Sequence, residues 1–273
     1  MERIIQTKNA SIRLLDAGGT EPAAVFLHYW GGSARTWRYV TRLLSGRVRC
    51  ICLDQRGWGQ SSASDGRYDL EAMADDAAAV IAALGLHRFV LVGHSMGGKV
   101  AQILAARQPD GLEGLVLVAP APPVPMPVPQ AARHAMLESY GSRVGVQQAL
   151  QILASRPLSA EDQETVIEDT LRGLPAAKRA WTDDGMTMDL GKRLSMVTVP
   201  TLIVVGDQDR VENAATLRTI FSDALHHAEM HVLAGVGHLS PLEAPQELAL
   251  LCHTFIDRIA NSAAGQPPTN DNE

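Results

Sequence analysis

The ten residues Phe89-Val90-Leu91-Val92-Gly93-His94-Ser95-Met96-Gly97-Gly98 restrict the chain more than any other stretch. A short apolar run of buried-strand character leads into Gly-His-Ser-Met-Gly, and a helical pattern over 99–107 follows at once. A serine on so abrupt a strand-to-helix turn needs neighbours without Cβ atoms, and it is forced into a strained backbone conformation. The strain lifts Ser95 Oγ to the carboxyl end of the strand, over a helix N-terminus. There the backbone N–H of Met96 points at whatever Ser95 attacks.

The surrounding grammar is that of a parallel sheet. Nearly continuous apolar runs at 23–28 and 48–53 read as strands buried on both faces, further strands read at 88–92, 115–119, 201–205 and 228–233, and two shorter ones at 3–6 and 11–15. Helical patterns at 36–44, 70–84, 99–107, 212–221 and 245–259 alternate with them. The expected fold class is therefore α/β, a mostly parallel central sheet with helices on both faces. After the sixth strand the pattern changes. Prolines at 122, 123, 125, 127 and 129 forbid helix and central strand, and 130–140, 144–154, 160–171 and 176–183 read as helices with no strand among them. The chain divides into a core (1–122), a helical insert (123–190), the rest of the core (191–260) and a polar, proline-bearing tail (261–273) expected to be disordered.

At 273 residues, 46% hydrophobic and 20% charged, the chain suits one large α/β domain with an insertion. A net charge of −6 with no basic run offers nothing to a nucleic acid. No apolar run is long enough to span a bilayer, and no apolar leader core follows Met1; a cytoplasmic protein is the expectation. Cys50, Cys52 and Cys252 have no metal or disulfide spacing, and Cys50 and Cys52 share one strand face as core residues. Oligomeric state is not encoded in any pattern found.

A nucleophilic serine needs a base and an orienting carboxylate. Of nine histidines, His238 alone follows a late strand in a glycine-rich loop, at the sheet edge where Ser95 emerges. His87 lies at the wrong end of its strand, His226, His227 and His231 suit the surface, His134 and His253 fall on helices, and His94 cannot reach back to Ser95. Asp207 and Asp209, just past the 201–205 strand, both qualify as the acid. The stretch after 115–119 holds Pro120-Ala121-Pro122 and no carboxylate. His28 and Arg56 read as structural braces. Trp37, Trp58 and Trp181 read as packing residues, and Lys99 as structural or solvated.

The sequence resembles the α/β-hydrolase fold superfamily, specifically its cap-bearing serine esterase and non-haem haloperoxidase-like group. The matching pieces are His28-Tyr29-Trp30-Gly31-Gly32-Ser33, Asp54-Gln55-Arg56-Gly57-Trp58-Gly59-Gln60-Ser61, Gly93-His94-Ser95-Met96-Gly97-Gly98, Gly206-Asp207-Gln208-Asp209 and Gly237-His238, in the family's order over about residues 10 to 260. The resemblance implies a catalytic set of Ser95, Asp209 and His238, with Asp209 as the final residue of the family's G-x-x-D pattern and Asp207 as the alternative. It implies oxyanion donors at the backbone N–H groups of Trp30 and Met96, and a helical cap over the site. Tyr29 departs from the family pattern, which has glycine there. Tyr29, Trp30, Met126 and Met136 are the candidate pocket residues. Serine at position 95 argues against the carboxylate-nucleophile haloalkane dehalogenases and epoxide hydrolases of the same fold. The expected chemistry is hydrolysis of a small-molecule carboxylic ester through an acyl-enzyme, with no metal or organic cofactor. A lactonase, a perhydrolase, a cyanohydrin-type lyase or a slow ligand sensor on the same scaffold are the alternatives.

Overall fold

The computed structural model describes residues 1–264. Among them nine strands form one sheet: β1 (Glu2–Gln6), β2 (Ala10–Asp16), β3 (Ala23–Leu27), β4 (Cys50–Leu53), β5 (Ser62–Ala63), β6 (Phe89–His94), β7 (Leu112–Val118), β8 (Thr201–Gly206) and β9 (Ala228–Leu233). The spatial order is β1-β2-β4-β3-β6-β7-β8-β9, with β5 paired to β2. The β1, β2 and β5 pairings are antiparallel, and every pair from β4 to β9 is parallel. The two-residue β5 carries no strand pattern of its own, so the strand expected to be sixth is seventh in chain order.

Alternation decides which side each strand residue faces. Val25, Leu27, Leu91, Leu115, Leu117, Ile203 and Val205 join one apolar layer. Ala24, Phe26, Val90, Val92, Val116, Val118, Leu202 and Val204 join the other, along with Cys50, Cys52 and Cys252. The first layer is covered by α2 (Leu70–Ala83) and α3 (Met96–Ala106), and the second by α1 (Arg38–Leu44). Helix α3 is buried on all sides from Met96 to Ala105.

Between β7 and β8 the chain runs extended and then forms α4 (Gln130–Ser139), α5 (Arg143–Leu153), α6 (Ala160–Arg172), α7 (Pro175–Ala180), a π-helical turn (Trp181–Gly185) and the one-turn α8 (Gly191–Leu194). No residue of α4 is buried. Helix α6 is fastened to the segment after β3: Asp169 accepts from Ser33 Oγ (2.7 Å) and Arg35, Asp162 pairs with Arg38, and Thr170 Oγ1 donates to the Gly31 carbonyl (3.0 Å). After β8 come α9 (Ala214–Ala224), α10 (Ser240–Glu243) and α11 (Pro245–Ala264), the last adding Leu248, Phe255 and Ile256 to the second apolar layer.

Two expectations change. Residues 36–44 begin as a 3₁₀ turn (Ala34–Trp37) capped by Ser33, and become α-helix only at Arg38. The tail was expected from 261, but α11 continues to Ala264, because Asn261-Ser262-Ala263-Ala264 contains no helix breaker and Ser262 Oγ donates to the Arg258 carbonyl (2.9 Å). The rest of the expected tail, 265–273, lies outside the described residues. No described helix is long and apolar enough to cross a membrane.

Candidate active site

The parallel register brings five strand ends, those of β3, β6, β7, β8 and β9, to one edge. Leu27 pairs with Gly93, His94 with Val118, Val118 with Val204, and Gly206 with Leu233. The loops leaving β3, β6, β8 and β9 therefore emerge together, carrying Trp30, Ser95, Asp209 and His238.

Ser95 has φ 53° and ψ −115°, in the positive-φ region that L-residues avoid. A Cβ on Gly97 would stand 2.5 Å from the carbonyl oxygens of Leu27 and His28, and one on Gly93 would stand 2.4 Å from the Gly97 carbonyl. Only glycine lets α3 start this close to β3 and β6. The strain is held by hydrogen bonds: Ser95 N–H donates to the Val118 carbonyl (3.0 Å), and the Ser95 carbonyl accepts from Lys99 and Ala121 N–H (3.1 Å each).

His238 Nδ1–H donates to Asp209 Oδ2 at 2.8 Å, leaving Nε2 as the free ring nitrogen. Asp209 Oδ1 accepts from Val211 N–H (2.8 Å) and Glu212 N–H (2.9 Å). Burial opposes the Asp209 charge, but the His238 imidazole and these two N–H groups outweigh it and hold the carboxyl below its usual range. Asp207 does different work, accepting the Gly235 N–H (2.7 Å) within the loop after β9.

His94 turns out to matter through a contact the sequence does not show. Its Nε2–H donates to the His238 backbone carbonyl (2.8 Å), and the two rings lie 5.1 Å apart. Burial, reinforced by the neighbouring His238, pushes its pKa well below 6.5, so the ring is neutral. Glu243 is a second such residue, with both carboxylate oxygens on backbone N–H groups around His238. A lone acid in the apolar run 239–244 is the only sequence sign of it.

The loop after β3 is set by His28. Its Nδ1–H donates to the Tyr29 carbonyl (2.7 Å), its Nε2 accepts from Gln55 N–H (3.1 Å), and its own carbonyl accepts from Gln55 Nε2 (2.7 Å). Neither Trp30 N–H nor Met96 N–H donates to an acceptor among the described residues. Arg56 makes a two-pronged pair with Asp76 (2.6 and 2.9 Å) and braces the loops around it. Trp37, Trp58 and Trp181 are buried packing residues, and His87, His134, His226, His227 and His231 are exposed.

A cavity of about 440 Å³ lies within the helical insert, where Arg210 and Val211 of the loop after β8 meet it; its lining does not include Ser95, His238, Trp30 or Met96. Met126, Val128, Met136, Met186, Ala149, Ile152 and Leu153 supply most of its wall, with Gln148, Ser139 and Arg210 as polar members. Of the four candidate pocket residues, Met126 and Met136 line it. Trp30 meets it indirectly, stacked at 3.9 Å on the lining residue Tyr140. Tyr29 faces elsewhere, packed with Val146, Leu150, Val166 and Leu242 where α5 and α6 meet the core. Two lining residues bond to the Asp209 and His238 loops: Leu153 O accepts the His238 backbone N–H (2.8 Å), and Val211 N–H is a donor to Asp209.

Lys99 is not solvated. It sits one turn after Ser95, fully buried, with no partner for Nζ among the described residues. Burial lowers its pKa to about 8, against the pull of Glu212 and Asp189. The Glu212 carboxyl, buried beside Asp209, is pushed well above its usual value, mainly by that burial. No group of three or more His, Cys, Asp or Glu among the described residues is arranged to hold a metal ion.

Comparison with known proteins gives consistent results. A family model described as "Alpha/beta hydrolase family" matches residues 24–249. A non-heme haloperoxidase of Rhodococcus erythropolis is 30% identical over 240 residues, 82% of this chain and 87% of that protein. A mouse sn-1-specific diacylglycerol lipase is 43% identical over 111 residues, 40% of this chain and 36% of that protein, so the likeness spans little more than a third of its length. Among solved structures, an esterase from Exiguobacterium antarcticum superposes with a TM-score of 0.87 at 23% identity, covering 94% of this chain and all of that one, a likeness of fold.

Proposed function

Because the chain belongs to the α/β hydrolase family, we propose that it is a serine hydrolase that cleaves carboxylic esters of small to medium acyl chain, with Ser95 as nucleophile, His238 as base and Asp209 as the orienting acid. The observation that carries the reading is the 2.8 Å Asp209–His238 pair, delivered by two loops to the edge where the strained Ser95 emerges. That pairing selects the Nδ1–H tautomer and leaves Nε2 to take the serine proton.

In the proposed reaction Ser95 Oγ attacks the ester carbonyl while His238 Nε2 removes its proton. Asp209 stabilises the imidazolium that forms. The oxyanion is received by the uncommitted N–H groups of Trp30 and Met96, each such donor being worth about 3 kcal/mol of barrier. His238 then protonates the departing alcohol. A water that gives its proton to His238 next attacks the acyl-enzyme and releases the acid and Ser95. The helical insert between β7 and β8 acts as a cap, and the methionine-lined cavity within it takes the acyl chain.

Perhydrolysis is the second reading, favoured by the haloperoxidase relative: peroxide in place of water attacks the same acyl-enzyme and yields a peracid. The test is a ladder of p-nitrophenyl esters from acetyl to long acyl chains, hydrolysed by the native protein and by Ser95→Ala. A single chain-length optimum that vanishes in the variant is expected. No turnover above background by the folded native protein overturns the reading.

A further inference from the structure

One buried carboxylate ties the His238 loop to the helix that walls the cavity. Glu243, on α10, is 8% exposed. Its Oε2 accepts from the N–H groups of Ser155 (2.8 Å), Arg156 (2.8 Å) and Gly237 (3.0 Å), and its Oε1 from Leu239 N–H (3.0 Å). Two of these donors flank His238 in the chain, and the other two belong to the segment that leaves α5. The His238 N–H itself donates to the carbonyl of Leu153, the last residue of α5. Arg156 closes the joint from outside, with Nη1 on the Glu243 carbonyl (3.2 Å) and Nη2 on that of Ala234 (2.9 Å). A Cβ on Gly237 would stand 2.8 Å from Ser155 N and 2.9 Å from Leu153 O, so loop and helix end already touch backbone to backbone.

The same α5 supplies Gln148, Ala149 and Ile152 to the cavity wall. A rigid helix gripped by a ligand at its middle and bonded to His238 at its end moves as one body. Hydrogen bonds to an ionised carboxylate are about twice as strong as neutral ones, so this joint transmits position instead of yielding. Binding energy from a part of the substrate remote from the reacting bond is then available to orient the base.

Building on the esterase reading above, we propose that Glu243 is a positioning residue that couples α5 to His238, so that filling of the cavity by the acyl chain is expressed in kcat and not in KM alone. An acyl group long enough to reach Ala149 and Ile152 holds α5, and with it the imidazole, in the productive place. An acetyl group leaves α5 ungripped.

The test is the kcat and KM of acetyl, butyryl, hexanoyl and octanoyl p-nitrophenyl esters for the native protein and Glu243→Gln. The amide keeps the size of the side chain but sets a donor against one of the backbone donors. In the native protein kcat rises along the series to its optimum. In Glu243→Gln kcat falls for every ester, because two of the weakened bonds hold the His238 loop directly, but it falls about tenfold further for the optimal ester than for acetyl, so the rise along the series flattens while the chain-length trend in KM is kept. An equal loss of kcat for every ester, a change confined to KM, or a native kcat indifferent to chain length overturns the proposal. Near-UV circular dichroism establishes that the variant is folded. If it is not, Arg156→Met loosens the same joint from the α5 side and is read by the same criteria. Absence of turnover by the native protein marks failure of the esterase reading itself, whereas turnover without this coupling marks failure of the present proposal alone.

Discussion

His94 donates its Nε2–H to the backbone carbonyl of His238 across 2.8 Å, so the residue preceding the proposed nucleophile holds the loop of the proposed base. His94→Phe keeps a ring of similar bulk but leaves that buried carbonyl unpaired, a loss of about 1–3 kcal/mol. The expected result is a fall in kcat of roughly 10- to 100-fold with KM for short esters nearly unchanged. Restoring a side-chain donor with His94→Gln recovers part of the rate. Steady-state kinetics on the three proteins checks this.

The backbone of Ser95 separates activity from stability. Ser95→Ala and Ser95→Gly both remove the proposed nucleophile, but only glycine relaxes at φ 53° and ψ −115°. Ser95→Gly is expected to be inactive yet more stable than Ser95→Ala by about 1 kcal/mol. Thermal unfolding of the two inactive variants measures the difference.

Asp209 and Asp207 sit two residues apart and do unlike jobs. Asp209→Asn keeps the shape but lets the His238 ring take the wrong tautomer, and kcat is expected to drop by about 10⁴. Asp207→Asn keeps an acceptor for the Gly235 N–H and changes kcat by less than about threefold, the scale of an ordinary surface substitution. Comparing the two variants on one ester decides between the carboxylates.

Lys99 imposes a pH-dependent cost. Its pKa falls from its ordinary 10.5 to about 8 on folding, because burial disfavours the ammonium form. The unfolded chain then binds more protons than the folded one between those values. The penalty is complete below pH 8 and disappears as pH rises through the window from 8 to 10.5. A shift of this size is equivalent to about 3 kcal/mol. Lys99→Met is expected to stabilise the protein at pH 7 by about 1–3 kcal/mol and to remove a rise in stability between pH 8 and 10.5. Denaturant unfolding across that range checks both.

Met136 lines the cavity from α4. Met136→Trp fills part of that space, so octanoyl esters lose about tenfold or more in kcat/KM, while acetyl esters are unaffected. The ester ladder gives this directly.

The strand–elbow–helix at 89–98 was legible because glycine, serine and an apolar run at fixed spacing satisfy one steric requirement. His238 was legible from its position after a late strand in a glycine-rich loop. The choice of Asp209 over Asp207 rested on resemblance, since both lie in one loop and chain position does not say which carboxylate turns inward. The contacts of His94 and Glu243 had no local signature. Their partners are backbone groups more than 70 residues away or across a turn, and any residue type offers those groups. Of the two readings of Lys99, structural or solvated, the solvated one fails because helix α3 is covered on every side.

The sequence by itself determined the order of the main strands and helices, though not the two-residue β5, together with the elbow and the helical insert, because each is written in the spacing of apolar residues, glycines and prolines along the chain. Only the tertiary structure decided which side chains meet at the sheet edge, where the cavity lies, and that α5 is joined to His238. Those outcomes depend on strand register and on backbone hydrogen bonds between segments far apart in sequence, and no local pattern records either.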